Sequence, residues 1–154
     1  MKKSPEPKIR VSVRKQQLVL KSGLKKIAEY PVSTSRFGLG SKEGSFKTPA
    51  GKFRIAEKIG GGMPVGTIFK SRRPVKATKK ALREEDLVMT RILWLEGLER
   101  RNANTHDRYI YIHGTNHEEK IGRADSHGCV RMKNADLVEL FERVAVGTLV
   151  EIRP

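Results

Sequence analysis

Apolar residues in this chain come in short runs, several of which alternate with polar residues, and only one run has helical spacing. Residues 9–14 alternate with period two, and residues 17–21 and 24–30 form two more runs around Ser22-Gly23, a two-residue turn signal. Further strands are predicted at 52–59, 67–70, 88–95, 108–113 and 148–152. About eight short strands indicate a mostly β fold, a sandwich or a barrel.

The one helical pattern covers residues 134–144, with Asn134 as its predicted N-cap. The apolar residues at helical spacing there are Leu137, Leu140, Phe141 and Val144. Residues 32–51 are rich in Gly, Ser, Thr and Pro and predict a long structured loop, and residues 71–83 predict a basic loop or flap. Residues 114–133 have no clear period.

A length of 154 residues is that of one ordinary domain. We expect residues 1–8 to form a disordered basic tail and residues 9–154 to form the folded domain. No apolar run approaches the roughly 18 residues of a membrane span. The N-terminus also lacks the apolar stretch of an export signal. The chain as written is therefore expected in the cytoplasm, or in the periplasm or cell wall if a signal has been removed.

The net charge of +15 is unevenly distributed, because residues 70–83 contain seven Lys and Arg residues and no acid. Such a surface attracts polyanions, and one alternative function is a non-catalytic polyanion-binding module. That alternative predicts that binding weakens steeply with salt and survives the substitution Cys129→Ala. The segment lacks interleaved aromatic residues, and no nucleic-acid motif accompanies it, so a solvated loop is favoured and no nucleic-acid partner is expected.

Cys129 is the only cysteine, which excludes an intramolecular disulfide and a cysteine-rich metal finger. It follows Ser126-His127-Gly128, and a second His-Gly pair, His113-Gly114, lies upstream at the end of a predicted strand. Thiol catalysis requires a base that lowers the pKa of the thiol. His127 is only two residues away, so its reach onto the sulfur is constrained, whereas His113 comes from a separate segment and is predicted to be the base.

The N–H groups of Gly128 and Cys129 are predicted to face a developing oxyanion, and Arg131 is predicted to hold a substrate carboxylate. His113 and His117 are four residues apart, a spacing that zinc ligands can have. The segment between them contains Gly and lacks the Glu of helical zinc proteases, so neither a metal nor another cofactor is expected. His106 and His117 are interpreted as exposed loop histidines.

These residues resemble the signature of the L,D-transpeptidase catalytic domain (YkuD) family, a His-Gly followed after a gap by Ser-His-Gly-Cys, a hydrophobic residue and Arg. Upstream, the stretch Gly44–Phe53 is similar to the family's Thr-Pro-x-Gly-x-Phe segment, and Tyr30–Thr34 looks like the strand end before it. The resemblance runs from about Ile9 to Ile152, nearly the whole chain.

The resemblance implies a β-sandwich with one main helix after the cysteine, and a cysteine in a cleft under a flap. It implies that Cys129 attacks a peptidoglycan tetrapeptide stem, releases D-Ala and forms an acyl-enzyme that an amine resolves into a 3→3 cross-link. His113 would be the general base and acid, and the Gly114 carbonyl would orient it. His127, Gly128 and Arg131 would shape the sites that bind the oxyanion and the substrate carboxylate. In addition to Arg131, the residues expected to contact the substrate are Ser126, Thr115 and Tyr111. Carbapenems would acylate the same thiol.

The acyl acceptor is left open by the sequence, since nothing in residues 113–131 distinguishes an amine from water. With water as acceptor, the protein would be a cytoplasmic L,D-carboxypeptidase that trims muropeptides during murein recycling. The expected partner is peptidoglycan or a muropeptide in either case, and the oligomeric state is not predicted.

Overall fold

The computed structural model describes residues 5–154, which contain ten strands, two α-helices and two short 3-10 helices. The strands are β1 (Pro7–Ser12), β2 (Gln17–Ser22), β3 (Lys25–Ser33), β4 (Gly51–Ile59), β5 (Ile68–Lys70), β6 (Arg73–Val75), β7 (Val88–Gly97), β8 (Tyr111–Gly114), β9 (Val130–Met132) and β10 (Leu149–Arg153). The α-helices are α1 (Lys79–Glu84) and α2 (Asn134–Arg143), and the 3-10 helices are Arg100–Asn102 and Glu118–Lys120.

The strands form one sheet in the order β4-β10-β1-β2-β3-β9-β8-β7-β5-β6, and an additional pairing of β4 with β7 closes eight of them into a ring. The pairs β1–β10 and β8–β9 are parallel, and the other pairs are antiparallel. The predicted mostly β, sandwich-like architecture with one main helix is confirmed. Within the described residues, no helix is long and apolar enough to cross a membrane.

Alternation along the strands separates the core from the surface, as the sequence predicts. In β1, Ile9 and Val11 are fully buried, whereas Lys8 and Arg10 face outward. The main core lies inside the closed sheet and is covered by α2 through Leu137, Leu140 and Phe141. A second, smaller cluster lies on the other side of β7 and β8. It consists of Phe69, Ile92, Trp94 and Tyr111, and Cys129 packs against it.

The predicted role of Asn134 as helix cap is wrong. Lys133 occupies the N-cap position of α2 and makes no side-chain cap, and Asn134 is the first helical residue. The backbone N–H of Asn134 donates to Oε2 of Glu118 at 3.1 Å, while its side chain bonds Thr90 and Thr115. The cap position was misassigned because a distant segment supplies the acceptor that a local Asn would otherwise provide.

The basic segment 70–83 contains secondary structure where the sequence predicts a loop. Strand β6 pairs with β5, and Thr78 starts helix α1 by accepting a hydrogen bond from Ala81 N at 3.0 Å. The strand predicted at 108–113 begins only at Tyr111, because Tyr109 has a positive φ of 55°. Of the expected N-terminal tail, residues 1–4 lie outside the described residues, and Pro7 and Lys8 already belong to β1.

Candidate active site

Strands β8 and β9 place the predicted nucleophile and base on the same face of the sheet. They run parallel, with Ile112 opposite Val130 and His113 opposite Arg131, and Cys129 immediately precedes Val130. Ile112 and Val130 point into the main core. Because side chains alternate along a strand, Tyr111, His113, Cys129 and Arg131 share the opposite face.

The Cys129 thiol is half-buried and is held by two backbone groups. Its sulfur accepts a hydrogen bond from Tyr111 N at 3.3 Å, and its S–H donates to the carbonyl of Tyr109 at 3.4 Å. Burial raises the pKa of the thiol to about 11, and this effect outweighs the hydrogen bond from Tyr111 N and the charges of Arg131 and Arg108, which lower the pKa. Cys129 is therefore a neutral thiol in this state, and within residues 5–154 neither His113 nor His127 hydrogen-bonds to it.

The orientation of the buried His113 ring defines its tautomer. Nδ1 lies 2.5 Å from the carbonyl oxygen of Gly114, and a carbonyl can only accept a hydrogen bond. Nδ1 therefore carries the proton, and Nε2 has a free lone pair. Burial also lowers the pKa of His113, which keeps the imidazole neutral near pH 7. A neutral imidazole with a free Nε2 can accept a proton.

Position 114 requires a glycine because its backbone packs directly against the side chain of Asn134 and the backbone of Met89. A Cβ at this position would lie 2.1 Å from Oδ1 of Asn134 and 2.7 Å from the carbonyl of Met89. Asn134 accepts from Thr90 Oγ1 at 2.6 Å and donates to the carbonyl of Thr115 at 2.8 Å. Sequence reasoning missed the positioning role of Asn134, although its place five residues after the cysteine offered a signal.

The side-chain hydroxyl of Ser126 stabilises the Ser126–Cys129 loop through two hydrogen bonds to its backbone. Ser126 Oγ donates to the carbonyl of Cys129 at 2.6 Å and accepts from Gly128 N at 3.2 Å. Gly128 adopts a φ of 124°, and its carbonyl accepts from Thr48 Oγ1 at 3.0 Å. Of the two N–H groups predicted to face an oxyanion, that of Gly128 is thus engaged by Ser126, which leaves that of Cys129.

Of the four residues predicted to contact substrate, Tyr111 lines a cavity. Ser126 and Thr115 are buried and face the protein, and the Thr115 hydroxyl accepts from His117 N at 3.0 Å. The cavity has a volume of about 330 Å³. It is lined by Phe69, Ser71, Arg72, Val88, Ile92, Tyr109 and Tyr111.

Arg131 is not placed to bind a substrate carboxylate, which corrects the sequence prediction. Its side chain is 2 % exposed, with Nη1 2.9 Å from Asp125 and Nη2 2.6 Å from Asp86. A guanidinium that is buried and paired with two carboxylates has its terminal nitrogens occupied. The arrangement instead makes Arg131 a positioning residue that ties β9 to the segment after α1.

His127 lies at the surface beside Asp86. Its Nδ1 is 3.6 Å from Oδ2 of Asp86, and its ring contacts Phe46 edge-on, with centroids 5.8 Å apart. Asp86 thus contacts both Arg131 and His127 and belongs to the site, although nothing in its sequence context marked it.

The other two histidines lie in loops, as predicted, but they are half-buried rather than exposed. His106 stacks on Trp94 with ring centroids 3.9 Å apart, and His117 Nε2 donates to the carbonyl of Glu85 at 2.9 Å. Within residues 5–154, no group of three His, Cys, Asp or Glu side chains is arranged to hold a metal ion.

The closed, sandwich-like sheet carries a candidate cysteine–histidine site, with the thiol directly before β9 and the oriented imidazole on the parallel strand β8. The family model described as the L,D-transpeptidase catalytic domain matches residues 6–152, so the chain belongs to that family.

Two curated relatives carry L,D-transpeptidase in their names and match a part of the chain. YqjB of Bacillus subtilis is 50% identical over 52 residues, which cover 33% of this chain and 30% of YqjB. YbiS of Escherichia coli K12 is 54% identical over 44 residues, which cover 29% of this chain and 14% of YbiS. The matched segments thus span less than a third of these relatives.

Solved structures share the fold at low sequence identity. An L,D-transpeptidase from Xylanimonas cellulosilytica superposes with a TM-score of 0.64 at 17% identity, covering 99% of this chain and 63% of that one. The L,D-transpeptidase LdtMt1 in complex with imipenem gives a TM-score of 0.59 at 16% identity, covering 96% and 58%.

Proposed function

We propose that this domain is a cysteine-dependent L,D-transpeptidase that acts on peptidoglycan tetrapeptide stems. The observation that carries the proposal is that Cys129 and His113 lie on one face of the β8–β9 pair, with the Nδ1–H of His113 fixed on the Gly114 carbonyl at 2.5 Å. An imidazole fixed in this way has one nitrogen available for proton transfer, as general acid–base catalysis requires. Membership of the family supplies the substrate class.

In the first half-reaction, Nε2 of His113 takes the thiol proton as the sulfur attacks the carbonyl of the third stem residue. The tetrahedral oxyanion is stabilised by the Cys129 N–H. The imidazolium then gives its proton to the departing D-Ala amine, and a thioester on Cys129 remains. Because the raised thiol pKa and the lowered imidazole pKa both disfavour an ion pair in the free site, proton transfer accompanies attack.

In the second half-reaction, an amine of a second stem attacks the thioester. His113 removes the proton of the amine and returns it to the sulfur, which regenerates the thiol and yields a 3→3 cross-link. Water in place of the amine gives a tripeptide, the product of an L,D-carboxypeptidase. Both outcomes use the same acyl-enzyme, so the acceptor has to be measured.

The test is mass spectrometry of a disaccharide-tetrapeptide incubated with the purified protein, with Cys129→Ala as control. We expect free D-Ala and cross-linked dimers that are absent from the Cys129→Ala reaction. Tripeptide and D-Ala without dimers would make the protein a carboxypeptidase, and an unchanged substrate would contradict both.

A second experiment tests the nucleophile without a natural substrate. The similar domain LdtMt1 has been solved in complex with imipenem. We expect imipenem to add its mass once to the wild-type chain and not at all to Cys129→Ala, since acylation requires the sulfur. Addition to both proteins would contradict Cys129 as the acylated residue.

A further inference from the structure

The tip of the β5–β6 hairpin has an unusual backbone. Ser71 and Arg72 both adopt positive φ, 48° and 63° respectively. A two-residue hairpin turn with two left-handed residues normally uses Asn-Gly, because side chains with a Cβ are disfavoured there. Strained conformations of this kind persist where the surrounding structure holds them, and they are common at functional sites.

Arg72 is held over the aromatic residues beside the nucleophile. Its guanidinium carbon lies 4.9 Å from the ring centroid of Trp94 and 5.2 Å from that of Tyr109. Its Nη1 donates to the hydroxyl of Tyr111 at 3.3 Å, and the backbone N–H of Tyr111 donates to the sulfur of Cys129 at 3.3 Å. Arg72 is thus connected to the thiol through a single residue, and its stacking fixes the plane of the guanidinium.

The guanidinium of Arg72 has donors left for a ligand. An arginine carries five N–H donors, and within residues 5–154 Arg72 uses one of them, with no carboxylate within 4.0 Å. Arg131, by contrast, is buried and paired with Asp86 and Asp125. Arg72 is also the one charged residue among those that line the 330 Å³ cavity, whose other walls are aromatic, aliphatic or a serine.

We propose that Arg72 binds a carboxylate of the peptide substrate and thereby selects stems that carry this group. The inference rests on the proposed function, and it identifies Arg72 as the cation that recognises the substrate of Cys129. A planar guanidinium with a free edge pairs with a carboxylate through two parallel hydrogen bonds. The two carboxylates on the residues joined by the scissile bond have this chemistry, that of the terminal D-Ala and that on the side chain of a diaminopimelate third residue.

The experiment measures release of the terminal residue from three stems by mass spectrometry. One stem has both carboxylates free, one has the terminal D-Ala as an amide, and one has the third-residue side chain as an amide. Each is tested with the wild type, with Arg72→Gln and with Arg73→Gln.

Arg73 is the matched control because it is the next residue of the same hairpin and is exposed. The ratio of kcat/KM for acid and amide is taken within each variant, so a partly unfolded preparation does not alter it.

We expect wild type and Arg73→Gln to lose about tenfold or more in kcat/KM when one of the two carboxylates is amidated, mainly through KM. The amide that causes the loss identifies which carboxylate Arg72 binds. Arg72→Gln is expected to turn over that amide and the free acid at similar, low efficiency. Calorimetry on Cys129→Ala with and without Arg72→Gln is expected to show the same discrimination in binding.

The proposal fails if Arg72→Gln lowers kcat/KM by the same factor on all three stems, because Arg72 would then act only on the fold. It also fails if the wild type treats the three stems alike. If the wild type releases the terminal residue from none of them, and Cys129→Ala binds none, the proposed function itself is contradicted.

Discussion

At the scale of single residues, one peptide group organises the candidate site. The carbonyl of Gly114 orients His113, and the same residue packs its backbone against Asn134 and Met89. Any shift of this glycine therefore moves the base relative to the thiol.

Gly114→Ala tests this close approach. Its Cβ would fall 2.1 Å from Asn134 Oδ1, so the backbone must move, and we expect a loss of stability of about 1–3 kcal/mol. The rate of D-Ala release should fall by more than the loss of folded protein accounts for, because His113 loses its alignment. Thermal unfolding and D-Ala release measure the two effects. Gly40→Ala is the control, since its nearest obstacle is the flexible side chain of Lys47, and it should change neither.

The raised thiol pKa predicts how Cys129 reacts with iodoacetamide. Below a pKa of about 11, the thiolate fraction grows with pH, so the alkylation rate of the folded protein should rise about tenfold per unit between pH 7 and 9. The rate in urea should level off near the ordinary thiol pKa of 9.0. A folded-state rate that is already constant at pH 7 would show a preformed thiolate and contradict the burial effect.

The motif residues were predictable from the sequence because their chemistry is local. Cys129, His113 and Gly114 lie in two short motifs, and each motif can be recognised from neighbouring residues in the sequence alone. The burial of Arg131, Ser126 and Thr115 was not predictable, since it depends on partners up to 92 positions away, such as Thr34 and Asp86. Asp86 was missed as a site residue for the same reason.

At the scale of secondary structure, α1 and the segment after it are attached to β9 and to the loop after β8 by polar contacts. Asn116 donates to the carbonyls of Leu82 and Glu85, both at 2.8 Å, and accepts from Leu87 N at 3.0 Å. Asp86 adds the contacts to Arg131 and His127. The core strands are predictable from their alternation of apolar and polar residues. In contrast, β6 and α1 bury no residue, so their sequences have no apolar periodicity that would predict them.

Asp86→Asn and Asp125→Asn form a matched pair of substitutions, because each removes one carboxylate from Arg131. Both should lower stability by about 1–3 kcal/mol, since a buried guanidinium loses half of its charge pairing. Only Asp86 also raises the thiol pKa by its charge. Asp86→Asn should therefore speed alkylation of Cys129 at pH 8, and Asp125→Asn should leave the rate unchanged. Equal rates in the two variants would assign Asp86 a structural role alone.

At the scale of the whole molecule, closure of the sheet depends on its last strand. β10 lies between β4 and β1, pairing antiparallel with the first and parallel with the second. The sequence predicted this strand but not its position, because parallel pairing of the two ends of the chain leaves no local signal. The ring that positions β8 and β9 therefore closes through residues far from the site.

Removal of residues 149–154 should abolish cooperative folding. The deletion exposes the partners of Val150 and Ile152, which are 2 % and 1 % exposed, and leaves two strand edges unpaired. Burial of two such side chains contributes about 3–6 kcal/mol, comparable to the whole stability of a typical domain. Circular dichroism during heating should show no sigmoidal transition for this variant. Removal of Pro154 alone, which lies beyond β10, is the control and should unfold like the full chain. A cooperative transition in the shortened chain would mean that the fold does not depend on β10 to close the ring.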